Sequence, residues 1–148
     1  EHVTVDELCT RYLSHKAIGE STTLDEMLVI GRGEGLAPRR IDYANAQEAL
    51  AGLQEFIRQG TPLITLVNYD KWDEIAQNNF SGEHFVVVTG CDAEHVLVHD
   101  PLFRGARRNK GEFFVWRNQH FLEGWGSVAE LGSPNFVAIV PDKTVDRI

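Results

Sequence analysis

The chain has 148 residues, of which 43% are hydrophobic and 24% charged, and its formal net charge is −8 at pH 7. This length and composition are those of one globular domain that can bury a substantial core. The negative charge argues against a nucleic-acid-binding or anionic-membrane surface, so we expect no nucleic-acid partner. The longest apolar stretches have only the length of a strand, which predicts no membrane span.

The first part of the chain predicts three amphipathic helices. Residues 4–7 and 23–26 both read Thr-x-x-Glu, the capping box that starts a helix, and Pro38 is expected to close the second helix. Asn45 is the predicted cap of a third helix, whose apolar residues recur at helical spacing until Gly60.

From residue 63 onward the pattern changes to strands. Strands are predicted over 63–68, 84–90, 96–100, 112–116 and 136–140, with a short strand over 39–43 and a short helix over 118–123. Helices followed by a run of strands predict an α+β fold with a largely antiparallel sheet. The sequence shows no internal repeat or linker, so we expect a single domain over residues 1–148.

One β-hairpin carries the candidate chemistry. Two β-branched runs flank the polar stretch 91–94. A turn centred near Asp92 places His84 directly opposite Asp100, with Val88 opposite Val96 on the same face. A histidine beside a carboxylate is the orienting half of a nucleophile–base–acid site. A slip of one residue in this register would put the two side chains on opposite faces.

The hairpin also resembles a known family. It reads Gly-x-His-Phe-Val-Val-Val-x-Gly from residue 82, then a short turn and a strand that ends in Asp-Pro. This is similar to the bacteriocin-processing (double-glycine) peptidase-like family of papain-fold cysteine peptidases. Segments 61–67, 114–116 and 121–125 and the amphipathic segments near the start extend the resemblance over most of the chain.

The resemblance implies a fold and an activity. It implies a papain-like domain with N-terminal helices packed on the sheet, a peptide or protein substrate, and hydrolysis of a peptide bond without a cofactor. In the family the histidine is the general base and the aspartate after the second strand orients it. These roles fall on His84 and Asp100.

The nucleophile of the family is missing from the pattern. That nucleophile is a cysteine at the start of an N-terminal helix, usually followed by glycine and preceded by an oxyanion-hole glutamine. Cys9 lies inside a helical pattern without either neighbour. Cys91 is seven residues beyond His84, which is roughly 20 Å along a strand. We therefore expect the nucleophile upstream of residue 1 and the chain as given to be inactive.

Two functions from different classes stay open. The chain is the base-bearing portion of a cysteine peptidase, or it is a catalytically silent papain-like domain that binds peptides or a partner protein. The presence of both His84 and Asp100 favours the enzyme, whereas the missing thiol favours the binding domain. Acyl transfer on the same machinery cannot be separated from hydrolysis by sequence.

The loop over residues 68–81, between the strands predicted over 63–68 and 84–90, leads directly into His84. It is predicted to form a wall of the cleft beside that histidine. It is long for a hairpin connection, and long loops in compact domains are often functional. Tyr69 or Trp72 could stack on a bound peptide, and either could equally fill a gap beneath the loop.

Two further groups of residues have plain interpretations. Cys91, His95 and His99 are residue types that bind metals, but their spacing fits no standard site and a half-exposed sheet face is the better interpretation. The basic residues of the loop after Pro101 are expected to be solvated, with binding of an acidic partner as the alternative. These residues are Arg104, Arg107, Arg108 and Lys110.

Overall fold

The computed structural model describes residues 2–17, 20–132 and 134–143. The chain divides into two compact units, one formed by residues up to Arg39 with those from Pro141 onward, the other by Arg40–Val140. The prediction of one domain over the whole chain stays a prediction. The described residues form five α-helices, α1 Val5–Tyr12, α2 Leu24–Gly33, α3 Ala46–Arg58, α4 Asp73–Ala76 and α5 Asn118–Trp125, and three short 3₁₀ helices.

The helices of the first unit begin where the sequence predicts. The hydroxyls of Thr4 and Thr23 accept the predicted backbone N–H bonds, so both capping boxes are confirmed. Glu34, which follows α2, receives a salt bridge from Arg11 at 2.8 Å and a hydrogen bond from the Tyr12 hydroxyl at 3.1 Å. These contacts tie the end of α2 to α1.

Pro38 does not close α2, contrary to the prediction. The helix ends at Gly33, and Pro38 lies inside the strand Leu36–Tyr43. That strand is at the edge of the sheet, where a residue without an N–H is tolerated. The third helix is capped by the Asn45 side chain as predicted.

The sheet has six strands in the order β1-β6-β2-β3-β4-β5. Their bounds are β1 Leu36–Tyr43, β2 Leu63–Asn68, β3 Glu83–Cys91, β4 His95–His99, β5 Phe114–Arg117 and β6 Phe136–Lys143. From β6 to β5 every neighbouring pair is antiparallel. The predicted α+β class with an antiparallel sheet is confirmed. Each predicted strand is present, β2 with the predicted bounds and the others with an end moved by one to three residues.

The core of the second unit lies between one face of the sheet and the helices α3 and α5, which contact β2. Leu53 of α3 and Trp125 of α5 are fully buried there. The rings of Trp72 and Trp116 stack at 4.4 Å between centroids. Because side chains alternate along a strand, every second residue of β3 and β4 points toward this core.

The register of the β3–β4 hairpin differs from the prediction. Val88 pairs with Val98 rather than with Val96, and Cys91 is the residue opposite Val96. The predicted pairing is wrong by two residues up to Val88 and by three from Gly90 onward, because the turn lies further along the chain and a bulge leaves Thr89 without a partner in β4. On the His84 side of the bulge the shift of two residues keeps His84 and Asp100 on their predicted common face.

Candidate functional site

His84 and Asp100 lie together at the open end of the hairpin. His84 Nε2 is 3.3 Å from Asp100 Oδ1, which confirms the predicted proximity of the two side chains. The prediction that they are directly opposite is wrong, since β4 ends at His99 and Asp100 meets His84 diagonally. The ring N–H is not aimed at Oδ1 within hydrogen-bond geometry. Such contacts are often long or poorly aligned in unliganded sites.

The Asp100 carboxylate is held at both of its oxygens. Oδ1 accepts the backbone N–H of Leu102 at 2.9 Å, and Oδ2 accepts the Tyr69 hydroxyl at 2.6 Å. The backbone N–H of Asp100 donates to the carbonyl of Gly111 at 2.8 Å. Because Pro101 follows, the backbone at Asp100 is also restricted to extended conformations. The carboxylate plane is therefore fixed by its surroundings.

The ionisation of this cluster follows from its contacts. Burial raises the pKa of Asp100, but the contacts from His84, Tyr69 and Leu102 together outweigh it, so its pKa is lowered overall. Burial and the bond to Asp100 raise the pKa of Tyr69. At neutral pH the aspartate is a carboxylate and the tyrosine is a protonated donor.

The loop that precedes β3 is closed at its base. The N–H of Tyr69 donates to the carbonyl of Gly82 at 2.8 Å. Asp70 Oδ1 accepts the Ser81 hydroxyl at 2.8 Å and the N–H of Gly82 at 2.9 Å. The segment predicted as a plain loop also contains α4. It therefore delivers Tyr69 and His84 to the site as one compact structure.

The aromatic residues of this loop differ in exposure. Tyr69 and Trp72 have no exposed surface, so neither presents an open ring face to a peptide. Of the two interpretations that the sequence left open, their packing favours the space-filling one. Phe80 is half-buried, and its ring centroid is 5.7 Å from that of His84. It is the aromatic residue of the loop that combines contact with His84 and partial exposure.

Sequence reasoning missed the contacts that two polar residues make near the site. Asn78 Nδ2 donates to the Tyr69 hydroxyl oxygen at 2.6 Å. Arg107 donates to Asn78 Oδ1 at 3.2 Å and also to the carbonyls of Ala76 and Gln77. The expectation that this arginine is simply solvated is therefore wrong. The sequence pattern did not mark these contacts, because Asn78 and Tyr69 meet through the folding of the loop between them and Arg107 lies 29 residues beyond Asn78.

Neither described cysteine is placed as the family's nucleophile would be. Cys91 lies at the opposite end of β3 from His84, which at the rise of a strand is roughly 20 Å. Burial and Asp92 raise the pKa of the Cys91 thiol, which lowers its thiolate fraction. Cys9 lies in the interior of α1 and is exposed.

No metal site is found across residues 2–17, 20–132 and 134–143, where no three His, Cys, Asp or Glu side chains could share an ion. Cys91 pairs with Val96 and shares its face, whereas His95 and His99 occupy the other face of β4. A membrane span is also not found, since none of the described helices is long and apolar enough to cross a bilayer.

Comparison with known proteins gives a family and a fold. A sequence profile described as the Peptidase_C39-like family matches residues 36–129, a range that includes His84 and Asp100. A crystal structure from Bacillus anthracis, named a C39-like peptidase, matches with a TM-score of 0.51 and 16% identity. The match covers 86% of this chain and 65% of that chain, and at this identity it shows the fold alone. No curated protein matches the sequence.

Proposed function

Because the chain belongs to the Peptidase_C39-like family, as the hairpin resemblance predicted, we propose that it is the base-bearing part of a cysteine peptidase. His84 is the general base and Asp100 orients it. The observation that carries this proposal is the 3.3 Å contact of Nε2 with Oδ1, between a partly exposed histidine and a fully buried aspartate side chain. A chain of this family with that pair in place has the base needed to activate a thiol.

The orientation of the ring assigns a role to each nitrogen. Nε2 lies 3.3 Å from Asp100 Oδ1, and the charge of the carboxylate favours the tautomer with its proton on Nε2, which leaves the lone pair of Nδ1 of His84 as the base. Nδ1 takes the proton of a cysteine thiol, and the thiolate attacks the peptide carbonyl carbon. The imidazolium then returns that proton to the departing amine, and water hydrolyses the remaining thioester.

The thiol comes from residues that precede Glu1 in this proposal. Cys91 is at the far end of β3, and Cys9 lies within a helix outside the matched range 36–129. The chain also spans 65% of the Bacillus anthracis structure to which it is similar. A nucleophile contributed by a preceding helix is consistent with both facts.

The proposed substrate is a peptide or a protein, which is the class that the family implies. Phe80 is the apolar wall beside His84, because its ring lies against the imidazole and is not fully covered. We assign it the role of contacting the substrate next to the scissile bond. The buried Tyr69 ring supports Phe80 by packing edge-on against it, with 5.6 Å between the two ring centroids.

The test uses the gene product that includes the residues encoded before Glu1. We expect one cysteine that is labelled rapidly by iodoacetamide at neutral pH, located by mass spectrometry. His84→Ala should slow this labelling by about 100-fold, a typical contribution of a general base. His99→Ala, which removes a histidine from the other face of the same hairpin, should leave the rate unchanged.

The same measurement decides between the two functional classes. A longer gene product without a fast-reacting cysteine, or with one indifferent to His84→Ala, would overturn the peptidase proposal. The family fold would then serve as a catalytically silent domain that binds peptides.

A further inference from the structure

We infer that Tyr69 and Asn78 are positioning residues that fix the Asp100 carboxylate against His84, in a hydrogen-bonded relay anchored on Arg107. The inference rests on the proposed function of His84 and Asp100. It adds three residues to the site that do not touch the reacting atoms.

The relay is a continuous series of donors that runs from a cation to an anion. The Arg107 guanidinium donates to Asn78 Oδ1 at 3.2 Å, and Asn78 Nδ2 donates to the Tyr69 hydroxyl oxygen at 2.6 Å. The Tyr69 hydroxyl in turn donates to Asp100 Oδ2 at 2.6 Å. Every donor points toward the carboxylate, and bonds aligned in this way polarise one another.

The relay separates the roles of the two carboxylate oxygens. Oδ2 of Asp100 is bound by the Tyr69 hydroxyl, which leaves Oδ1 for the N–H of Leu102 and for the imidazole. Without the hydroxyl, Oδ2 would be a buried acceptor with no partner, which is strongly unfavourable. The carboxylate would then rotate or bind a proton, and either change weakens its hold on Nε2.

The backbone around Asn78 shows that the loop is built to present this side chain. Gln77 and Asn79, on either side of it, both adopt the left-handed conformation, with φ of 56° and 52°. Such a backbone is uncommon for residues other than glycine. The N–H of Asn78 is held by Asp73 Oδ1 at 2.7 Å. Arg107 fixes the same turn by donating to the carbonyls of Ala76 and Gln77.

Alternative roles for the Tyr69 hydroxyl can be separated from positioning. A purely structural hydroxyl would affect stability when it is removed, but it would not change which ring nitrogen of His84 carries the proton. Removing a positioning hydroxyl would change both the stability and the ring nitrogen of His84 that carries the proton. The ratio of the two neutral tautomers of His84 is therefore the informative measurement, and it requires neither a nucleophile nor a known substrate.

The experiment uses this chain labelled with ¹⁵N-histidine, and the ring nitrogen shifts of His84 are recorded at a pH where the ring is neutral. We expect the Nε2-protonated tautomer to dominate. Tyr69→Phe should reduce its ratio to the other tautomer by about fivefold, the effect of one net hydrogen bond. Asn78→Ala, which weakens the hydroxyl as a donor, should shift the ratio in the same direction by less. The matched control Tyr43→Phe should not change it.

The outcomes separate the relay from the proposed function. An unchanged tautomer ratio in folded Tyr69→Phe would overturn the relay, and an unchanged ratio in Asn78→Ala would do so if Tyr69→Phe does not fold. A shifted ratio supports the relay even if the longer gene product has no reactive cysteine, in which case the peptidase proposal alone fails.

Discussion

His84 and Asp100 share one face of the sheet, and the unpaired Thr89 in β3 makes this compatible with the pairing at the turn end of the hairpin. Cys91 pairs with Val96 at the turn end of the hairpin. Counting from that pair, His84 is seven residues back along β3 and Asp100 is four residues forward. These two separations differ by three residues. In a regular ladder an odd difference between them would put the two side chains on opposite faces of the sheet. The bulge absorbs the extra residue and restores the shared face.

Deleting Thr89 should therefore preserve the site. The remaining residues can form a regular ladder in which Val88 still faces Val98, so His84 stays beside Asp100. Deleting Val87 instead should turn His84 away from Asp100 or expose core valines, with a large fall in melting temperature. Thermal unfolding and the His84 ring shifts distinguish the two deletions. Equal effects from both would show that the bulge is not what sets the shared face.

Gly111 should not tolerate a side chain, because it packs directly on the site. A β carbon at this position would lie 2.3 Å from the backbone carbonyl oxygen of Asp100 and 2.8 Å from Phe103 Cβ. We expect Gly111→Ala to lower the free energy of unfolding by about 1–3 kcal/mol, as overpacking does. It should also displace Asp100 from His84, which the ring shifts would report.

Gly90→Ala is the control for this substitution. A β carbon at Gly90 would lie nearest to the flexible side chain of Leu97, at 3.2 Å. The loss of stability measured by urea unfolding should therefore be smaller than that of Gly111→Ala. A smaller effect at Gly111 than at Gly90 would contradict the packing argument.

Asp100 should make the stability of the protein depend on pH. Because its pKa is lowered in the folded state, its contribution is complete above the pKa of an unfolded aspartate, about 3.9. The contribution is lost as the pH falls from there through the folded-state pKa. Urea unfolding between about pH 3 and pH 7 should show a weaker pH dependence in Asp100→Asn than in the wild type.

Trp72 and Phe80 should differ in what their removal affects. Trp72 is fully buried and stacked on Trp116, so Trp72→Ala should lower the free energy of unfolding by about 3–5 kcal/mol. Phe80→Ala removes a half-buried ring and should affect stability much less. In the longer gene product it should raise KM more than it lowers kcat. A binding defect in a folded Trp72→Phe variant with normal stability would instead favour stacking by Trp72.

Local sequence features determined the elements of the fold and the two central residues of the site. The caps at Thr4, Thr23 and Asn45 act within four residues, so the helix starts could be predicted from the sequence. Alternation along the hairpin likewise placed His84 and Asp100 on strands that meet. The family resemblance also depended on this contiguous segment.

Tertiary structure decided how these two residues are held. The hairpin register depends on a bulge at Thr89, which the sequence pattern alone does not mark. The hydroxyl of Tyr69 reaches Asp100 across 31 residues of chain, and Arg107 reaches Asn78 across 29. Long-range contacts of this kind depend on how the loops pack against the sheet, and neither periodicity nor spacing encodes that packing. For this reason the sequence indicated the base and its carboxylate, whereas the fold was needed to find the groups that position them.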